Sequence, residues 1–141
     1  MSNARGQENT VIAAWGVNAG HSFSNTDDGF TVDAFYDVPI GSVYFSPGMR
    51  VMFSVNSMFS VETRVRFELI AERLLLGAGA NVMIWEDRAA IGIPVELTAP
   101  IRLLSRLQLN PGVAFVPHFF LGKEKDGALT TVFVGLRVPV L

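Results

Sequence analysis

Residues Ser60-Val61-Glu62-Thr63-Arg64-Val65-Arg66-Phe67-Glu68-Leu69 alternate without a break. Odd positions carry Val, Thr, Val, Phe and Leu, and even positions carry Ser, Glu, Arg, Arg and Glu. Successive side chains of a β-strand point to opposite faces, whereas a helix would scatter this set around its circumference. The segment therefore reads as a strand with one greasy and one charged face. A chain built from such strands must give each face a solvent that suits it.

The period of two recurs along the chain. Val11, Ala13, Trp15, Val17 and Ala19 share a face opposite Gly16, Asn18 and Gly20. Phe30, Val32, Ala34, Tyr36 and Val38 oppose Asp33 and Asp37, and Val51, Phe53 and Val55 oppose Arg50, Ser54 and Asn56. After the 60–69 segment, Leu74 to Ile84 oppose Arg73, Gly77, Gly79 and Asn81, and Ile93 to Leu103 oppose Glu96, Thr98 and Arg102. Leu107 and Leu109 oppose Arg106, Gln108 and Asn110, and Val132 to Val140 oppose Thr131, Gly135 and Arg137. Eight strands result. The breaks alternate between polar loops (25–29, 56–57, 86–88, 122–127) and tight turns (39–42, 71–73, 104–105), as they must when strands run up and down between two different rims. Pro47, Pro94, Pro100, Pro111, Pro117 and Pro139 lie inside this pattern and call for bulges or ladder gaps.

The chain has 141 residues, enough for one domain: a polar segment over 1–9 and a single β-domain over 10–141. The opening Met1-Ser2-Asn3-Ala4 reads as a cloning remnant ahead of an exported mature domain. Half the residues are hydrophobic and 17% are charged, too apolar for disorder. A net charge of −2 gives nucleic-acid binding no electrostatic basis. Without cysteine, disulfide scaffolds, Cys-ligated zinc and thiol catalysis are excluded. No apolar run reaches the length of a transmembrane helix.

Two architectures accept eight such strands. In a soluble sandwich or lipocalin-like barrel the greasy face is the core. In a membrane barrel it meets lipid and the charged face fills the lumen. Two features favour the second. Of eleven Lys plus Arg, only Lys123 and Lys125 are lysine, and both fall in the last loop. Arginine suits confined networks because its planar fork pairs with carboxylates. The polar strand face carries Arg50, Arg64, Arg66, Arg73, Arg102, Arg106 and Arg137 against Asp33, Asp37, Glu62, Glu68 and Glu96. These twelve residues form the expected lumen charge network. In addition, Gly16, Gly20, Gly77, Gly79 and Gly135 fall on the polar side, where an eight-stranded lumen is narrow and Arg needs space.

The phrases Ala90-Ile91-Gly92-Ile93-Pro94-Val95-Glu96-Leu97 and Leu109-Asn110-Pro111-Gly112-Val113-Ala114 resemble the penultimate strands of small eight-stranded bacterial outer-membrane β-barrels, the family of the OmpA transmembrane domain. The run Val132 to Leu141 is similar to their last strand, although it ends in Leu141 where such barrels usually end in Phe or Trp. The resemblance implies an all-β, eight-stranded antiparallel up-and-down barrel in the bacterial outer membrane, in contact with lipid and without enzymatic activity. Phe23, Phe30, Tyr36, Phe45, Phe59, Trp85, Phe119 and Phe120 near strand ends are expected to serve as its aromatic girdle. The alternative reading is a secreted or periplasmic soluble barrel that binds a lipid or other apolar ligand. The sequence identifies no protein partner.

Candidate chemistry is sparse. Neither His21 nor His118 has a metal-ligand partner at i+2 or i+4. His21-Ser22-Phe23-Ser24 faintly resembles the His-x-Ser motif of outer-membrane lipid A deacylases, but the position that needs serine is Phe23. Gly77-Ala78-Gly79-Ala80-Asn81 lies in a strand pattern and lacks the helix that a phosphate-binding glycine loop opens. Glu62 and Glu68, six residues apart on a strand, are roughly 20 Å apart, too far for a glycosidase pair. Neither a catalytic residue, a metal site nor a cofactor is expected.

Overall fold

The computed structural model describes residues 13–24, 28–54, 57–70, 73–104, 106–121 and 127–139. These form β1 (Ala14–Phe23), β2 (Asp28–Ile40), β3 (Val43–Phe53), β4 (Met58–Ile70), β5 (Leu74–Trp85), β6 (Ala89–Gly92), β7 (Val95–Thr98), β8 (Ile101–Leu104), β9 (Leu107–Leu109), β10 (Gly112–Phe120) and β11 (Gly127–Pro139). All pairings are antiparallel. Each of β1 to β5 pairs with its sequence neighbour, β5 pairs with both β6 and β7, and β10 pairs with β6, β7 and β11. The pairing of β1 with β11 then closes the sheet into a ring.

The ring has eight staves, because β6 to β8 run on as one interrupted strand and β9 and β10 as another. Backbone bonds carry the ladder across the interruptions: Gly79 N–H to Pro94 O, Ile93 N–H to Pro117 O, Ala99 N–H to Pro111 O and Asn110 N–H to Gly135 O. The architecture is the expected eight-stranded up-and-down barrel. Two staves are longer than their alternation suggests. The expected strand around Val51 is the end of β3, which begins at Val43, and the strand around Leu107 continues through β10 to Phe120.

Every interior proline sits where a ladder is interrupted or ends. Pro94, Pro100 and Pro111 occupy the breaks between β6, β7, β8, β9 and β10. Pro47 lies in the gap between the Phe35–Gly48 and Val38–Phe45 pairs, and Pro117 faces the β6–β7 break. Pro139 ends β11. Proline has no N–H to donate, so these are the positions where it costs no ladder bond.

The alternation has one hand throughout. On β4, Val61, Val65 and Phe67 point outward and stay exposed, while Glu62, Arg64 and Arg66 point inward and are buried. Trp15, Val17, Tyr36, Val82, Ile84, Ile91, Val113, Val132 and Val134 continue the outward apolar band around the ring. A ring of eight strands leaves space inside for side chains and little more. Gly77 shows the constraint: a Cβ there would meet Cγ of Arg66 and Cγ of Glu96, each at 3.1 Å. At the rim of short turns, Gly41 adopts φ 63°, the left-handed conformation that lets β2 turn into β3 in two residues.

Candidate functional site: a charge chain inside the barrel

Inward-facing positions on β2, β3, β4, β7 and β11 bring eight ionisable side chains together, none more than 5% exposed. They form one chain of alternating sign. Asp33 lies 3.5 Å from Arg50, Arg50 is 3.7 Å from Glu62, and Glu62 is 3.3 Å from Arg64. Nη1 of Arg64 donates to both carboxylate oxygens of Glu96 at 2.7 Å, and Arg66 reaches Glu96 at 2.9 Å. Arg66 then lies 3.7 Å from Asp37, to which Arg137 Nε donates at 2.8 Å. Four guanidinium groups face four carboxylates, so the chain is neutral if every member is ionised. Isolated buried charges would be prohibitively costly. Alternation lets each charge replace lost water with opposite charge on one or both sides.

Neutral side chains complete the ends. Asn18 Nδ2 donates to Asp33 at 2.9 Å, and Asn110 Nδ2 donates to Asn18 at 3.1 Å. The Ser46 hydroxyl donates to Asp37, and Arg137 Nη1 donates to Gln108 at 2.8 Å. Aromatic faces carry three of the cations, Arg64 lying 5.8 Å from the centre of the Phe35 ring. Arg66 lies 4.3 Å from the centre of the Phe35 ring, and Arg137 lies 5.0 Å from that of Tyr44.

Of the twelve residues expected in this network, the structure gathers Asp33, Asp37, Arg50, Glu62, Arg64, Arg66, Glu96 and Arg137. It leaves out Glu68, Arg73, Arg102 and Arg106, all exposed at the rim of short turns. The reason is depth rather than parity. Arg102 belongs to β8, which pairs with β9 alone and stands beyond the closed part of the ring. Glu68 and Arg73 flank the turn between β4 and β5, and Arg106 lies in the turn before β9.

A second interior layer, nearer the polar-loop rim, is apolar. Met52, Met58, Met83, Trp85, Ala90, Val116 and Leu129 pack together there, with Phe120 against them. Sequence reasoning missed this layer because outward neighbours such as Phe53 and Ile84 are apolar too, which erases the alternation. The available signal was local: consecutive apolar residues of both parities at Val51-Met52-Phe53 and Val82-Met83-Ile84-Trp85. Trp85 is therefore not part of an outer girdle, and Phe120 packs inward as well. Phe23, Phe30, Tyr36, Phe45, Phe59 and Phe119 do face outward near strand ends.

Adjacent residues His21 and Ser22 point to opposite faces. His21 is exposed, 3.7 Å from Asp28, while the Ser22 hydroxyl is buried 2.6 Å from that of Thr131. The two cannot act as a base and nucleophile pair. His118, inside the barrel, directs Nδ1 at the Val116 carbonyl at 3.2 Å. Among the described residues, no group of three or more His, Asp or Glu is placed to hold a metal ion.

The sequence matches no protein-family model and no curated protein. Several solved structures are similar in fold. Neisserial surface protein A superposes with a TM-score of 0.71 at 14% identity, over 92% of this chain and 96% of that one. The N-terminal β-barrel domain of Pseudomonas aeruginosa OprF gives 0.56 at 12% identity, over 88% and 96% of the two chains. Ail, the attachment invasion locus protein of Yersinia pestis, gives 0.52 at 12% identity, over 92% and 97%. With its closed antiparallel ring, apolar exterior and charged interior, the chain has the fold of the small eight-stranded outer-membrane β-barrels.

Proposed function

We propose that this chain is a non-enzymatic β-barrel of the bacterial outer membrane. Its outer face lies in lipid, its lumen is closed by the alternating charge chain, and its role is structural or in surface interaction. The inversion of polarity between the two faces carries this reading. Val61, Val82, Val113 and Val134 stand outward at mid-stave, while Arg64, Arg66, Asp37 and Glu96 are buried behind them. In water the reverse arrangement is favoured, because apolar surface is driven inward and charges are cheapest outside. In a bilayer the observed arrangement is favoured, and closing the ring leaves no unpaired strand edge in the hydrocarbon. The charged part of the interior is also the wrong lining for the apolar ligand of a soluble barrel, and the apolar layer above it is packed with its own buried side chains.

The test is solubility and gel migration. The folded protein is expected to need detergent to remain monodisperse and to migrate differently before and after boiling. A monodisperse protein in plain buffer would overturn the reading.

A further inference from the structure

β8 pairs with β9 alone, and its other edge has no strand beside it. The cause is strand length. β5 begins at Leu74, and Leu75 pairs with Thr98, so in that register Arg73 comes level with Pro100 and all of β8 runs past the start of β5. A strand with one neighbour turns the N–H and C=O groups of alternate residues to its open side. All four residues of β8 are exposed, with Ile101 at 50%, Leu103 at 49% and Leu104 at 66%. Alternation still holds here: Ile101 and Leu103 continue the outward apolar face, while Arg102 stands opposite Gln108 on the inward face. No acidic residue occurs between Glu96 and Glu124, so the β8–β9 hairpin contributes Arg102 and Arg106 with no anion of its own. With Glu68, Glu72 and Arg73 of the adjoining β4–β5 hairpin counted, the two hairpins keep a net positive charge. Among the described residues, no ion pair engages Arg73, Arg102 or Arg106.

We propose that the open edge of β8 docks an extended segment of a partner protein in which acidic residues alternate with apolar ones. Such a segment adds one strand along the line that β5 leaves short, and its main chain pairs with the free groups of the edge. Strand pairing keeps the two faces separate. Inward side chains of the added strand therefore meet Arg102, flanked by Arg73 and Arg106, and call for carboxylates. Outward side chains meet Ile101 and Leu103 and call for apolar groups. A second copy of β8 fits poorly, because antiparallel self-pairing sets Arg102 opposite or diagonal to its own counterpart, and like charges so placed repel. A lipid phosphate satisfies the arginines but leaves the row of backbone donors and acceptors without a matching ladder. The edge lies past the closed ring, so the site stands or falls separately from the membrane reading.

The experiment titrates a fluorescent synthetic peptide of alternating glutamate and valine into the folded full-length protein, in detergent micelles or in whatever buffer keeps it monodisperse. Saturable binding is expected, with alternate amides of Ile101 to Leu104 gaining protection from hydrogen exchange. A lysine–valine peptide, and a peptide with the glutamates and valines in separate blocks, are expected to bind more weakly by about tenfold or more, since cross-strand charge pairs change sign or lose register. Arg102→Glu should reverse the preference between the glutamate and lysine peptides, and the wild-type exchange pattern keeps the test decisive should that variant fail to fold. Equal binding of the block peptide, an unreversed preference in Arg102→Glu, or unprotected β8 amides would overturn the site. The same protection produced by phosphatidylglycerol without peptide would assign the edge to lipid and overturn it too.

Discussion

At the scale of single residues, depth inside the barrel decides what a charge is worth. Arg66 contacts Glu96 and Asp37 with its guanidinium buried, so Arg66→Leu leaves two carboxylates short of a cation. Removing one partner from a buried ion pair costs about 3–5 kcal/mol, and a loss of that size is expected in urea unfolding from lipid vesicles. Arg102→Leu, exposed at the rim, is expected to change stability by less than about 0.5 kcal/mol. Gly77→Val tests the space beneath the same pair, since a side chain there must displace Arg66 and Glu96. Overpacking of this kind costs about 1–3 kcal/mol, read in the same assay. Parity was legible from the sequence: each member of the buried chain stands at an inward position of the alternation. Depth was not legible, because Arg102 and Arg66 have the same parity and differ only in where their staves leave the closed ring.

At the scale of the strand, the prolines divide what could be read from what could not. Alternation identified β4 and β5 almost to their ends because neither contains a proline and most of each sets a greasy face against a polar or small one. It lost the first half of β3 at Pro47-Gly48, which has the chemistry of a turn, and it lost β10 beyond Pro111. Only pairing shows that β2 skips Pro47 while β4 pairs straight through it at Thr63. Pro47→Val is therefore expected to shift the unfolding free energy by less than about 1 kcal/mol, since it restores a donor at a ladder gap. Val82→Pro is the contrasting case. Val82 pairs with Val61 on one side and Ile91 on the other, so its N–H lies within an unbroken ladder. The variant is expected to lose the heat-modifiable folded form, read on an unboiled gel.

At the scale of the whole molecule, polarity is inverted relative to a soluble protein, and this inversion makes opposite demands in the two solvents. Val134 pairs with Ala19 near mid-stave and is exposed, while Ile40 is exposed beside the Gly41 turn. If lipid surrounds the barrel, an arginine at Val134 must be held at the depth of the hydrocarbon, whereas one at Ile40 reaches the headgroups. The cost of a lipid-facing arginine in a membrane barrel falls from about 2–4 kcal/mol at the midplane to about 0–1 kcal/mol near the interface. Val134→Arg is accordingly expected to destabilise the folded barrel in vesicles by the larger amount and Ile40→Arg by the smaller. In a soluble barrel both positions would be water-exposed, and both substitutions would fall within about 0.5 kcal/mol. The difference between the two variants thus reads the solvent of the outer face directly. Equal, small effects would show that the apolar band does not lie in a bilayer, even with the charge chain in place behind it.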